Sequence, residues 1–263
     1  TLLPDASPPT LVARVELAGG AATPERAQRA LFQQIAQRHT NRGFYLDGAL
    51  PDGLRAKLEA IVARQPSLQL RLLTTPHERK RFRERTIAAT RAIIADAEMS
   101  ADSDRWYRHS LREIERERDG VTLDATGSGA ATRFFGKSLG RPDVATANAF
   151  WLDATREQQT TAACFGVTTS SSANTRSEQL QAGCAFQHLQ LWAASEGLAV
   201  QPLNQLAERQ DREQTQALRP VFSGSLEDLI GSGDRRAQML FRIGYPVDEA
   251  LASPRRPLPW VLL

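Results

Sequence analysis

The sequence predicts an α+β fold, a mixed and mainly antiparallel sheet flanked by helices. Three observations carry that prediction. Residues 11–17 and 68–72 alternate apolar and polar side chains, the period of a half-buried strand. Thr23-Pro24 and Thr75-Pro76 each place a hydroxyl residue before a proline, a helix-start signal. Helical and strand segments mix without a regular strand-helix-strand rhythm, which favours α+β over a doubly wound sheet.

In chain order, Leu11-Val12-Ala13-Arg14-Val15-Glu16-Leu17 reads as a strand ending at Gly19-Gly20. Thr23-Pro24-Glu25 starts a helix with an apolar face of Ala30, Leu31, Phe32 and Ile35. Pro51-Asp52-Gly53 opens a second helix, with Leu54, Leu58, Ile61 and Val62 on one side, which ends before Pro66. The strand at 68–72 follows. Thr75-Pro76-His77-Glu78 has the spacing of a capping box and predicts a long helix to about Met99. Trp106, Tyr107, Leu111 and Ile114 are placed to anchor a further helix on the body.

The small residues Thr126-Gly127-Ser128-Gly129-Ala130-Ala131 predict a mobile loop between Ala125 and Arg141. It lacks the lysine and hydroxyl of a phosphate-binding loop. Residues 160–167 read as a buried strand, Ser170 to Thr175 as a polar turn, and about Arg176 to Glu196 as a helix stopped by Gly197. Leu198 to Pro202 and Gln238 to Pro246 complete the strands.

The 263 residues hold 33 basic and 30 acidic side chains, and the small excess is spread along the chain. Between Glu78 and Asp119 eleven basic and ten acidic residues nearly cancel, which reads as solvated helical faces and argues against a nucleic-acid surface. No run reaches the roughly eighteen apolar residues of a membrane span. The chain starts at Thr1 without methionine, so its compartment is open. Cys164, Cys184 and four scattered histidines do not have metal-ligand spacing.

Gln37-Arg38-His39-Thr40-Asn41-Arg42-Gly43-Phe44 stands where the first helix runs out. Arginine's planar fork suits phosphate or carbonyl oxygens, and alternate residues of an extended segment share one side. The plainer reading is a helix end whose cations complement the dipole. Taken with two distant segments, Arg38-His39-Thr40-Asn41-Arg42 resembles the flavin-gripping segment of the nitroreductase family. The helix from Ala182 to Glu196 with Gly197-Leu198 and Pro202-Leu203-Asn204-Gln205 is similar to that family's central helix and the loop behind the flavin ring. Phe241-Arg242-Ile243-Gly244-Tyr245-Pro246 with Ser253-Pro254-Arg255-Arg256-Pro257-Leu258 is similar to its last core strand and phosphate-holding tail.

The resemblance implies a nitroreductase-like fold over residues 23–263 and non-covalently bound FMN. Arg255 and Arg256 would clamp the phosphate, and Arg38 and Thr40 would contact the ribityl chain or pyrimidine edge, with His39 beside them. Arg42 would lie near the carbonyl next to the ring nitrogen that becomes anionic on reduction. Pro202, Leu203, Asn204 and Gln205 would lie behind the ring. No side-chain acid or base is required, and His39 and His188 read as readily as packed histidines.

Within the family the chain resembles the Acg-like branch, which fuses two related halves around one flavin site and includes bacterial members with an export signal. Residues 1–22 would then be a strand and linker from a missing upstream half. A segment of the type S-x-H-N-x-Q-P-W, supplied by that half, does not occur here. A homodimer or a pseudo-dimer with the missing half would complete the site, in the cytoplasm or periplasm. Two functions follow from the resemblance. One is an oxidoreductase passing electrons from NAD(P)H to a nitroaromatic or quinone-like acceptor. The other is a flavin-sequestering protein whose flavin is covered by an insertion around residues 77–140.

Overall fold

The first helix, α1 (Arg26–Gln37), is followed by α2 (Leu54–Val62), β1 (Gln69–Leu73) and α3 (Pro76–Ala95). The computed structural model describes residues 26–48, 50–231 and 233–262. The expected strand at 11–17, the cap at Thr23 and the 1–22 linker lie outside them. Next come α4 (Ala97–Arg105), β2 (Tyr107–Arg108), α5 (Leu111–Glu117) and β3 (Val121–Thr122). They lead into α6 (Ala130–Leu139), α7 (Val144–Ala154) and a π-helical turn at Thr155–Gln159. The rest is β4 (Cys164–Ser171), α8 (Arg176–Ser195), β5 (Ala199–Pro202), α9 (Gln205–Thr215), α10 (Val221–Ile230) and β6 (Arg235–Gly244).

The main sheet runs β1-β4-β6-β5, and every neighbouring pair is antiparallel. Strand alternation divides the core between its two faces. Phe165, Val167 and Leu240 point toward Phe82, Leu206 and Leu226 of α3, α9 and α10. Cys164, Phe241 and Ile243 point toward Leu58 and Ile61 of α2 and Leu189 of α8. Thr168 faces Met239 while Thr169 faces Ala237, so Gln238 bulges and the facing pattern of β6 resets. Glycine is required at Gly166, where a Cβ would meet the Phe241 ring at 2.3 Å. The result is the expected sheet flanked by helices on both faces.

Three helices begin on capping boxes, at Thr75 with Glu78, Ser110 with Glu113 and Thr175 with Glu178. The helix expected to reach Met99 breaks at Asp96. That carboxylate caps α4 through the Met99 amide and accepts from Arg209 and Arg212 of α9 at 2.9–3.2 Å. Phe82 is fully buried and stacks on Phe165 with ring centroids 4.4 Å apart, so α3 belongs to the core. Residues 77–95 of the expected 77–140 insertion thus pack as part of the body.

Other boundaries also differ from expectation. Tyr107 and Arg108 pair in parallel with Val121 and Thr122, and the next helix starts only after the Ser110 cap, leaving Trp106 and Leu111 exposed. The expected loop at 125–141 holds α6, because Gly127 and Gly129 lie before the helix-forming stretch rather than inside it. The strand expected at 160–167 starts at Cys164, since Thr160 and Thr161 turn their hydroxyls back onto Thr155 and Gln158 carbonyls. Ser170 and Ser171 continue that strand, and the last strand begins three residues early, at Arg235.

Glu178 accepts the Ser171 amide at 3.1 Å and the Thr175 amide at 2.8 Å. Its hydrogen bonds with Ser171 and then Thr175 lower its pKa to about 2. A carboxylate depressed in this way stabilises the fold above its ordinary titration near 4.5, and the contribution fades as pH falls toward 2. Glu178→Gln is therefore less stable than the parent at pH 6. In urea denaturation series the difference narrows progressively below pH 4.5; a difference independent of pH would contradict this.

Candidate functional site

The C-terminal end of α1 is held by the tail of the chain. The Arg255 guanidinium donates to the carbonyls of Ile35 at 2.7 Å and Arg38 at 2.6 Å. It supplies both donors and positive charge to a helix end that lacks its own hydrogen-bond partners. Arg38 is thereby left to face α8, where Nη1 donates to Gln190 Oε1 at 3.3 Å and Nε is buried without a hydrogen-bond partner. Burial, and then the Arg255 charge, hold the Arg38 pKa below its usual value. His39 is exposed with Nδ1 2.9 Å from the Gln37 carbonyl, and Thr40 is half-buried.

Asn41 folds the next residues into a fixed shape. Its Nδ2 donates to the Asp248 carbonyl, and its Oδ1 accepts the Gly43 amide, both at 2.8 Å. Tyr45 donates its hydroxyl to the Asn41 carbonyl at 3.0 Å. The chain then runs beside the end of β6, with Leu46 N donating to Tyr245 O and Val247 N to Phe44 O, each at 2.9 Å. Between these anchors stands Arg42, which makes no hydrogen bond or ion pair with another described residue. Burial lowers its pKa, while Tyr107 and Tyr45 act in the opposite direction.

The anchor beneath the segment is Arg242, whose side chain is wholly buried and has no carboxylate partner among the described residues. Its Nε donates to Gln201 Oε1 at 2.8 Å. Nη1 donates to Gln158 O at 2.7 Å and Thr161 O at 2.9 Å, and Nη2 donates to Gly43 O at 2.7 Å. The guanidinium carbon lies 3.8 Å from the Tyr45 ring centroid, a cation-π arrangement. Burial lowers the Arg242 pKa to about 10, so the group is charged at neutral pH, and burial pushes Tyr45 up to about 12.

The loop after β5 is tied to the same strand. Leu203 N donates to Leu240 O at 2.7 Å, Asn204 Oδ1 accepts Leu240 N at 2.8 Å, and the Leu203 side chain is in the core. Gln205 keeps a buried Oε1 without a hydrogen-bond partner. Through Arg242 the strand that leads into this loop and the 41–45 segment share one support, while Arg255 holds the end of α1. Arg256 is directed elsewhere, to the Glu117 carbonyl at 3.2 Å and the Asp119 carboxylate. The two tail arginines thus diverge.

Residues 96–140 close on the basic segment. A Cβ at Gly127 would lie 2.3 Å from the Gly43 Cα, so only glycine lets the two backbones approach. Arg118 donates to the Arg255 carbonyl at 3.3 Å, and Asp119 holds Arg256. Burial raises the pKa of Tyr107, whose hydroxyl has no hydrogen-bond partner. Among the described residues no group of His, Cys, Asp and Glu has the geometry to hold a metal, and no helix is long and apolar enough to cross a membrane.

No family model matches the chain, and no curated protein matches it. Solved structures do. The FMN-dependent nitroreductase NfnB from Mycobacterium smegmatis, in complex with NADPH, superposes with a TM-score of 0.56 at 14% identity, over 90% of this chain and 98% of that one. A nitroreductase with bound FMN from Desulfitobacterium hafniense gives 0.56 at 10% identity, over 89% and 97%. The chain has the nitroreductase fold. The FMN- and NADPH-dependent NfnB from sphigopyxis sp. strain HMH is similar too, with a TM-score of 0.52 at 20% identity over 88% and 97%.

Within the nitroreductase fold, Asn41, Tyr45 and Arg242 are the supports that the sequence motif left out. A signal for Arg242 existed, because it is a lone charge between Phe241 and Ile243 in a strand apolar on both sides. Asn41 lies inside the basic segment, but the resemblance gives it no role. Asn41→Ala strands the buried Gly43 amide, at about 1–3 kcal/mol, and also gives up the half-buried bond to the Asp248 carbonyl. The expected loss of unfolding free energy is about 2 kcal/mol or more in urea titrations, and a loss below about 0.5 kcal/mol would contradict the assignment.

Proposed function

We propose that the chain is an FMN-dependent oxidoreductase that takes electrons from a nicotinamide donor and passes them to a nitroaromatic or quinone-like acceptor. The observation that carries this reading is Arg42, a partly buried cation with no ion pair to a described residue, on a segment braced by Arg242 within a nitroreductase fold. The residues present fit such a cofactor. The Arg38 Nε and the Gln205 Oε1 are buried without hydrogen-bond partners, and a bound polar molecule would satisfy them.

FMN, when bound, supplies hydride acceptance and donation. The protein would supply the rest. Arg42 favours negative charge at the nearby ligand oxygen and so raises the reduction potential. Arg38, His39 and Thr40 would hold the polar chain and ring edge, and the Pro202–Gln205 loop would back the ring. Arg255 and Arg256 would take the phosphate. Arg256 must then exchange Asp119 for phosphate, which links phosphate binding to the contact between the tail and residues 96–140. Phe134, Phe135 and Leu139 of α6 are 67%, 61% and 85% exposed, which supports an assembly with a second copy or an upstream half.

A second reading is favoured by the contacts of Gly127 with Gly43 and of Asp119 with Arg256, which lay residues 96–140 against the basic segment. In that reading the chain stores FMN under a cover and reduces little. Stopped-flow absorbance of the FMN-loaded full chain separates the two. Bleaching of the flavin band within seconds of adding NADPH is the expected result for the oxidoreductase. Bleaching by dithionite alone assigns storage, and a chain that takes up no FMN overturns both.

A further inference from the structure

Between α1, α2 and α8 lies an open cavity that the flavin reading does not use. Its volume is about 310 Å³, within the range of about 300–1,000 Å³ typical of small-molecule sites. Helical periodicity builds it. Lys57, Ala60, Ile61 and Arg64 form one stripe along and just beyond α2, and His188, Trp192 and Glu196 form one stripe along and just beyond α8. Leu31 of α1 closes the third side.

Its chemistry is two-part. Leu31, Ala60, Ile61 and Trp192 give an apolar, partly aromatic wall. Lys57 and Arg64 bring two positive charges, and neither side chain has a hydrogen bond or ion pair with a described residue. Glu196 is the one carboxylate in the lining and leaves it with a net charge of about one positive. His188 makes no hydrogen bond with a described residue, and burial, followed by the Arg64 and Lys57 charges, lowers its pKa below its usual value. It is therefore a neutral donor or acceptor at neutral pH.

We infer that this cavity binds a small planar aromatic carboxylate, its ring against Trp192 and Ile61 and its carboxylate between Lys57 and Arg64. A polyanion such as inorganic phosphate suits it less, because the apolar wall would stay unfilled and Glu196 would repel the second charge. None of the lining residues belongs to those assigned to the flavin, so the inference stands or falls independently of that reading.

The test is isothermal titration of the full chain, with and without FMN, using 2-naphthoate and its neutral analogue 2-naphthamide. Naphthoate is expected to bind in both states and at least tenfold more tightly than the amide. Lys57→Gln/Arg64→Gln, at two exposed positions, should weaken naphthoate at least tenfold. Ala60→Phe, which fills the cavity from its exposed edge, should abolish binding. Absence of millimolar or tighter binding by the parent, equal binding of the amide, or an unaffected double variant would each overturn the inference.

Discussion

A single buried cation organises the end of this molecule that carries the flavin-like motif. Removing a guanidinium from water costs several kcal/mol, and Arg242 has no described carboxylate to offset that cost. Hydrogen bonds involving a charged partner contribute about 1.5–3 kcal/mol each, and Arg242 places them on Gln201, Gln158, Thr161 and Gly43. Those acceptors belong to a sheet strand, the π-helical turn, its exit and the basic segment. No other described residue joins all four. The Tyr45 ring closes the remaining face of the guanidinium, so the charge is enclosed by oxygen acceptors and an aromatic surface.

This arrangement explains how Arg42 is held in place without a carboxylate of its own. Many arginines of residues 79–118 lie on carboxylates or carbonyls, as Arg85 does on Asp228 and Arg108 on Asp119. Arg42 is fixed by its backbone neighbours instead. Asn41 and Gly43 are both held, so the backbone that carries Arg42 is fixed. A preorganised, unpaired cation is what a site that stabilises developing negative charge requires. The same fixed backbone gives residues 96–140 a surface to seat on, through Gly127.

Much of the architecture was legible because it rests on local signals. The box at Thr75 marks a helix start through side-chain chemistry within four residues, and the 68–72 alternation marks a strand through one sheet face. The failures have long-range causes. Asp96 breaks its helix because Arg209 and Arg212 arrive from α9, more than a hundred residues away. Helix α9 was not anticipated because its inward face is largely polar, with Gln205, Arg209, Gln210 and Glu213 buried. Glu213 in turn receives the Phe222 and Ser223 amides that start α10. In the candidate site, the basic segment could be found from residue type and order. What its supports bind could not, since Arg242 and Gly43 meet only after the sheet has formed. Likewise the divergence of Arg255 and Arg256 depends on Asp119, whose position no local pattern reveals.

The dependence of the segment on Arg242 is tested most directly by hydrogen-deuterium exchange of Arg242→Lys against the parent, read on peptides spanning 39–47, 156–163 and 164–171. Lysine keeps the charge but cannot reach Gly43, Thr161 and Gln201 together. Exchange at least tenfold faster in 39–47 and 156–163, with the β4 peptide 164–171 still protected, is the predicted result. Unchanged exchange in 39–47 would contradict the account, because the basic segment would then be held without its buried cation.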